Sequence, residues 1–495
     1  MVCPLQKVIQ YEYSITGGLK GTIATWDFDL SASYGHDHND INTIESANVS
    51  LYRDTGFTPT DFYDGAFALS QFTATLDVRK ELELGLAGPL TLAFGTEYRR
   101  DTYEIGAGDE ASRYKEGGQS FPGYALSDAG SFDRDSIGFY LDLAAELAPG
   151  WNVDLAGRYE HYSDFGDTTI GKITTRYDFS DAFAIRGTAS TGFRAPTLAE
   201  SFYSATNVAP TSAYVQLPPN SPAAASAGFR PLRPEKSDNF SAGVVVRPVP
   251  KLVMTFDGYY IKVRDRIAGT SAIAGITDNV VVNQGVLDAI ALRGVTLDNV
   301  PNVGISVFTN GIDTRTYGFD LAVRYPIEAG FGMFDLSLTG NYNNTKITKN
   351  NIPTLFDARA ESNLETASPK YKAVFGLLFT SGPFSANLRE TLYGKSVILV
   401  SPNGGATLYD GTVGAAAITD LELTYELTSW INFTVGANNL FDKVPEIPGF
   451  APGYPATPTA GPRLVTNGTF YGQPYTHGPY GTTGGFYYAR IGLKF

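Results

Sequence analysis

The stretch 485–495, GFYYARIGLKF, decides how the rest of the chain is read. Taken alternately, Tyr487, Ala489, Ile491, Leu493 and Phe495 are apolar or aromatic, while Tyr488, Arg490, Gly492 and Lys494 form a mixed, largely polar set. A period of two belongs to a strand, whose successive side chains leave the pleated backbone on opposite faces. One greasy face, one wet face and a terminal aromatic suit a membrane-crossing strand of about 9–11 residues. A soluble edge strand shows the same pattern, so the reading depends on its repetition.

The pattern repeats throughout. Trp26, Phe28, Leu30, Ala32 and Tyr34 alternate with Asp27, Asp29, Ser31 and Ser33. Phe72, Ala74, Leu76 and Val78 alternate with Thr73, Thr75, Asp77 and Arg79, and Leu90, Leu92 and Phe94 with Thr91, Ala93 and Gly95. Further strands fall at 139–147, 151–160, 319–325, 334–342 and 421–427, with less regular ones around 10–20, 170–179, 183–193, 236–247, 252–265, 369–379, 384–395 and 431–439. The total of roughly seventeen suits a large barrel rather than a sandwich. In this register Leu155, Leu421, Leu423 and Leu493 face lipid, and Asp154, Asp420, Glu422 and Lys494 face the interior.

The connections alternate in length, as the turns and loops of an outer-membrane barrel do. Short turns fall at 86–89, 147–150, 179–182, 247–251, 326–332, 381–383 and 428–430; longer polar or Pro/Gly-rich segments include 36–66, 102–133, 194–235, 266–308, 344–368 and 442–483. Only the tip near 163–169 is short on the long-loop side. Segment 284–294 (QGVLDAIALRG) has an amphipathic helical period, and 197–204 a helical turn; both decorate loops. The fold expected over 10–495 is one antiparallel, meandering sheet, an all-β up-and-down transmembrane barrel without a separate soluble domain or parallel strands.

Composition agrees. The chain of 495 residues has no sharp change of character that would mark a domain boundary, and its 30 Tyr, 31 Phe and 53 Gly suit aromatic girdles and turns. No run reaches the roughly 18 apolar residues of a membrane helix. A formal net charge of −14 argues against nucleic acid. The single cysteine, Cys3, excludes an internal disulfide and a cysteine metal cluster. The opening MVCPLQKVIQYEYS lacks the charged segment, apolar core and small-residue site of a secretory signal.

Candidate chemistry is sparse. His36-Asp37-His38 has the residue types of a metal pair but reads more plainly as solvated loop at a strand end; His161 and His477 have no spaced partner, so no metal is assigned. Asp420, Glu422 and Glu426 share one strand face, where charge is the ordinary lining of a wet barrel. No Gly-x-Ser-x-Gly elbow, phosphate loop or metalloprotease helix occurs, so neither an enzyme nor a cofactor is expected. Loop 442–483 carries Phe450, Tyr454, Phe470, Tyr471, Tyr475 and Tyr480 among prolines and glycines, which suits either ligand contact or an interfacial girdle. No ligand-binding residue is assigned.

Four stretches resemble the barrel of TonB-dependent outer-membrane receptors. They are Thr191-Gly192-Phe193-Arg194-Ala195-Pro196-Thr197-Leu198, then Leu232-Arg233-Pro234-Glu235-Lys236-Ser237 with Asn239 and Gly243, then Val435-Gly436-Ala437-Asn438-Asn439-Leu440-Phe441-Asp442-Lys443, and terminal Phe495. The resemblance covers essentially the whole chain. It implies a bacterial outer-membrane protein surrounded by lipid, part of a barrel of 22 strands enclosing a plug that engages TonB, and energised uptake of a metal chelate, vitamin or oligosaccharide. It also implies that the strand ending at Phe495 is read by the outer-membrane assembly machinery. The count of strand directions makes the first and last strands run the same way, so the chain reads as the C-terminal portion of such a barrel, without plug, TonB box or roughly five leading strands, and is not expected to transport by itself. The alternative is a passive-diffusion porin of 16–18 strands.

Overall fold

The computed structural model describes residues 4–119, 121–209, 211–293, 300–400, 408–445 and 478–494. Seventeen wall strands run from Leu5–Ile23 to Phe486–Leu493, and each pairs antiparallel with the next. Among the described residues no pairing joins the first wall strand to the last. No helix among the described residues is long and apolar enough to cross a membrane, and crossing falls to the strands.

Alternation sets the two faces. Phe139, Leu141, Trp151, Leu155, Tyr159, Phe256, Phe319 and Ile491 stand bare on one face, with Leu155 at 46% and Leu493 at 52% exposure. Large apolar side chains left this open need a hydrocarbon solvent. The opposite face pairs its charges: Asp154 with Lys172, Asp420 with Arg389, Glu422 with Arg490 and Glu426 with Lys494. The expected register for these positions is the observed one.

Several ties on the polar face jump an intervening strand across a glycine. Tyr140 crosses Gly95 to donate to Asp77 (2.6 Å), Tyr488 crosses Gly436 to donate to Glu422 (2.8 Å), and Arg186 crosses Gly243 to reach Asp257 (2.7 Å). Tyr259 similarly lies over Gly318 and accepts from Asn343 (2.9 Å). A Cβ at Gly436 would stand 2.5 Å from the Tyr488 ring, so only glycine admits the crossing. The ring in turn covers backbone that glycine leaves bare, which recovers part of the stability a strand glycine loses.

Tight turns close one end of the sheet. One of the two-residue turns connects Ile23 to Trp26 through Ala24 and Thr25, both with positive φ (47° and 74°), the sign a two-residue I′ turn requires. At the other end several strands run well past the lipid-facing residues. Trp26–Ile44 continues ten residues beyond Tyr34, so the loop expected at 36–66 begins only after Ile44. Polar side chains on both faces of this extension hide it from a hydrophobic-alternation reading.

Among the described residues several of the long loops are folded. The expected helices are present as Leu198–Phe202 and Gln284–Leu292, and others at Val49–Thr55, Pro222–Ser226 and Ala358–Glu365 were not anticipated. Strand Ser212–Leu217 pairs antiparallel with Ala205–Ala209 but parallel with residues 302–307, which overturns the expectation of no parallel strands. The parallel pair occurs where two loops meet, not in the wall. Val215, Leu217, Val303, Ile305 and Val307 pack there with Ala289 and Ile290 of helix Gln284–Leu292 into a core of their own. Burial of these side chains, at about 1.5–3 kcal/mol for each Val, Leu or Ile, gives the loops a fixed shape.

Candidate functional site

The polar face of the first six wall strands holds a cavity of about 510 Å³ near the long-loop end. Strand register builds it in rungs. Glu12 lies opposite Asp37, Gln71 opposite Asp101, Asp101 opposite Arg134, and Arg99 and Tyr162 both opposite Ser136. Because register places every second residue of each strand on this face, residues distant in sequence line one wall.

The carboxylates are oriented by neighbouring amides. Gln10 donates to Asp37 Oδ1 (3.0 Å), Asn39 donates to Asp37 Oδ2 (3.0 Å), and Gln71 donates to Asp101 Oδ1 (2.8 Å). Arg99 sends Nη2 to Tyr162 Oη (3.3 Å), while its buried Nε has no acceptor. Gly35 lies in the Gln71 rung, and a Cβ added there would meet nothing within 4 Å. This leaves open space over the cavity floor.

The roof is segment 195–198, fastened by two arginines. Arg134, only 4% exposed, donates Nη1 to the Pro196 carbonyl (2.6 Å) and both Nε (2.9 Å) and Nη2 (2.5 Å) to Asp164. Arg194 bridges Glu200 (2.8 Å) and Glu235 (2.6 Å), tying the end of one wall strand to the start of the next. Thr197 and Glu200 form a capping box that starts helix Leu198–Phe202. Burial raises the cost of ionising Glu200, but Arg194 and the Thr197 N–H outweigh it and hold the carboxyl below its ordinary value. The Thr191–Leu198 and Leu232–Ser237 stretches thus serve as the two halves of a roof latch.

Above the roof lies an aromatic layer. Phe132 stacks on Phe202 with centroids 4.3 Å apart, and Phe67 meets Tyr124 edge-on at 5.0 Å. Leu198, Tyr103 and Ile105 are buried among them. Arg293 joins a second loop to this layer through Ser204 (2.8 Å).

The residues singled out from sequence divide. Asp37 and His36 both border the cavity, but the side chains of His36 and His38 leave the strand on the face opposite to that of Asp37, bonded to Ser70 (2.8 Å) and Asp40 (3.1 Å). They belong to a strand rather than the expected loop, and the triplet cannot converge on one ion. His161 pairs with Asp167 (2.6 Å), and His477 lies outside the described residues. Among the described residues no group of three or more His, Cys, Asp or Glu side chains is placed to hold a metal. Of the aromatic loop, Phe450, Tyr454, Phe470, Tyr471 and Tyr475 lie outside the described residues, while Tyr480 packs near Tyr393 at 5.9 Å. Phe495 also lies outside them. Glu12, Gln71, Arg99, Asp101, Arg134 and Tyr162 were not singled out; their sequence signal is only that each is polar at an inward position.

The family model described as TonB dependent receptor-like, beta-barrel matches residues 6–440. No curated protein matches the sequence significantly. Among solved structures, the chain is similar to the siderophore receptor PirA from Acinetobacter baumannii at 16% identity and TM-score 0.64, covering 99% of this chain and 63% of that one. It is similar to the ferric enterobactin receptor PfeA from Pseudomonas aeruginosa at 17% identity and TM-score 0.65, covering 98% and 62%. It is also similar to the outer membrane transporter YddB from Escherichia coli at 11% identity and TM-score 0.63, covering 99% and 63%. At these identities the likeness is one of fold, and the chain spans less than two thirds of each structure's length. With the family match over most of its length and an antiparallel wall bare on one face, the chain belongs to the TonB dependent receptor β-barrels of the bacterial outer membrane.

Proposed function

We propose that the chain is the barrel of an outer-membrane receptor for TonB-energised uptake of a bulky, scarce nutrient: a metal chelate, a vitamin or an oligosaccharide. The observation that carries this reading is the inward cavity roofed by segment 195–198, with folded loops packed above it. Such a mouth suits capture of one ligand, where a diffusion pore needs an open passage. PirA and PfeA are named as siderophore and ferric enterobactin receptors, which supports receptor function without fixing this chain's ligand. TonB and the outer-membrane assembly machinery are the implied partners, the latter through the strand that ends at Phe495.

The test is accumulation of labelled candidate nutrients by cells producing this barrel wall within a receptor that has its plug and TonB box, with and without TonB. Uptake that requires TonB supports the receptor. Uptake independent of TonB, together with steady conductance in a planar bilayer, would favour the porin reading instead.

A further inference from the structure

We infer that the cavity takes a polyhydroxylated ligand with no net negative charge, a neutral or amino-sugar oligosaccharide, and rejects polyanionic chelates. The inference rests on the uptake reading above and narrows its substrate. The first argument is acceptor count. Both oxygens of Asp37 and one of Asp101 each accept a single amide N–H, and Asp101 Oδ2 has only Arg99 Nε at 4.0 Å, which leaves further acceptor capacity on these cavity-lining carboxylates. A planar carboxylate with two acceptor oxygens matches the paired hydroxyls of a sugar ring, each of which must donate to be satisfied.

The second argument is the donor left over. Arg99 donates one bond to Tyr162 and stands 4.0 Å from Asp101 without a hydrogen bond to it, so its 30% exposed guanidinium keeps donor capacity for a hydroxyl or ring oxygen that enters the cavity. The third is charge. Glu12, Asp37 and Asp101 line the cavity with Arg99, while Arg134 is already committed to Asp164 and Pro196. The net sign is negative, so an anionic ligand is repelled at short range. A bare metal cation is the poorer fit, since among the described residues no three acidic or histidine side chains converge.

The experiment uses the full chain, produced in the outer membrane and purified in detergent. It is applied to an array of neutral, amino-sugar and uronate oligosaccharides, with ferric enterobactin as the polyanionic chelate. Binding is expected only among the neutral and amino-sugar members. Gly35→Val fills the floor where an added Cβ meets nothing, and Asp101→Asn removes one charged acceptor; each is expected to weaken binding about tenfold or more without altering wall assembly. Strongest binding of a uronate or of ferric enterobactin would overturn the inference, as would an array with no binder or a binder indifferent to both substitutions. Sugar binding without TonB-dependent accumulation would count against the uptake reading and leave the ligand class standing. TonB-dependent growth on some nutrient, with no sugar bound, would do the reverse.

Discussion

Replacing Arg134 with Met should release the roof of the cavity while leaving the wall intact. The guanidinium is 4% exposed and makes three hydrogen bonds, two to Asp164 and one to the Pro196 carbonyl. It also lies 5.4 Å from the Phe165 ring and 5.9 Å from that of Tyr162. Removing one partner of a buried pair costs about 3–5 kcal/mol, and Asp164, 22% exposed, can recover part of this by turning to solvent. A net loss of about 3 kcal/mol raises the open population of the roof roughly a hundredfold. Amide hydrogen exchange reads this at Ser201 and Tyr203, whose N–H groups bond the Thr197 and Ala199 carbonyls. Arg100→Met is the control, since its partner Asp133 lies 3.1 Å away on the exposed face and such pairs contribute about 0–1 kcal/mol. Unchanged exchange at Ser201 and Tyr203 in the Arg134 variant, or equal acceleration in both variants, would refute the latch.

Four further outcomes follow from the same physics. Changing Ala24 to Asn together with Thr25 to Gly should stabilise the first hairpin by about 1 kcal/mol, seen as a higher denaturant midpoint, because both positions have positive φ. Gly436→Val should cost about 1–3 kcal/mol of stability and so lower the midpoint, since the new side chain collides with the Tyr488 ring, whereas Gly35→Val should be nearly neutral. Asp64, buried above the lipid-facing residues, has its carboxyl pushed up to about 6 by burial, against the Thr43 bond and with help from Asp109; stability it confers is therefore full below about pH 4 and lost as pH rises through 6. Exchange at Tyr124, whose N–H bonds the Asp64 carbonyl, should quicken from pH 5 to 8 beyond the intrinsic rate, and Asp64→Asn should abolish the excess. Deleting Phe495 should reduce the amount of protein inserted far more than the ligand affinity of what does insert, measured by comparing outer-membrane yield with binding per molecule.

The wall was legible because lipid imposes a simple rule on it. Trp151, Leu155 and Tyr159 against Asn152, Asp154 and Arg158 fix both strand and face, and the same arithmetic recovered the wall strands. The rule fails above the lipid. There His36 and His38 continue a strand whose faces are both polar, and alternation no longer distinguishes strand from loop. The parallel pairing of 212–217 with 302–307 joins segments ninety residues apart through packing of Val215 and Ile305, which local pattern cannot register. The cavity was hidden for a related reason: Glu12, Asp37, Gln71 and Asp101 are ordinary inward polar residues until register brings them together. The stretch around Arg194 was conspicuous in sequence, but its role as a latch required Glu200 and Glu235 in place.

The central claim is that this barrel captures a ligand for energised uptake, and paired accumulation assays test it most directly. Cells producing this barrel wall within a receptor that has its plug and TonB box are compared with and without TonB, using the oligosaccharide that binds best in detergent. The account predicts accumulation that saturates, disappears without TonB and falls about tenfold or more with Gly35→Val. Accumulation that rises linearly with concentration and persists without TonB would contradict it.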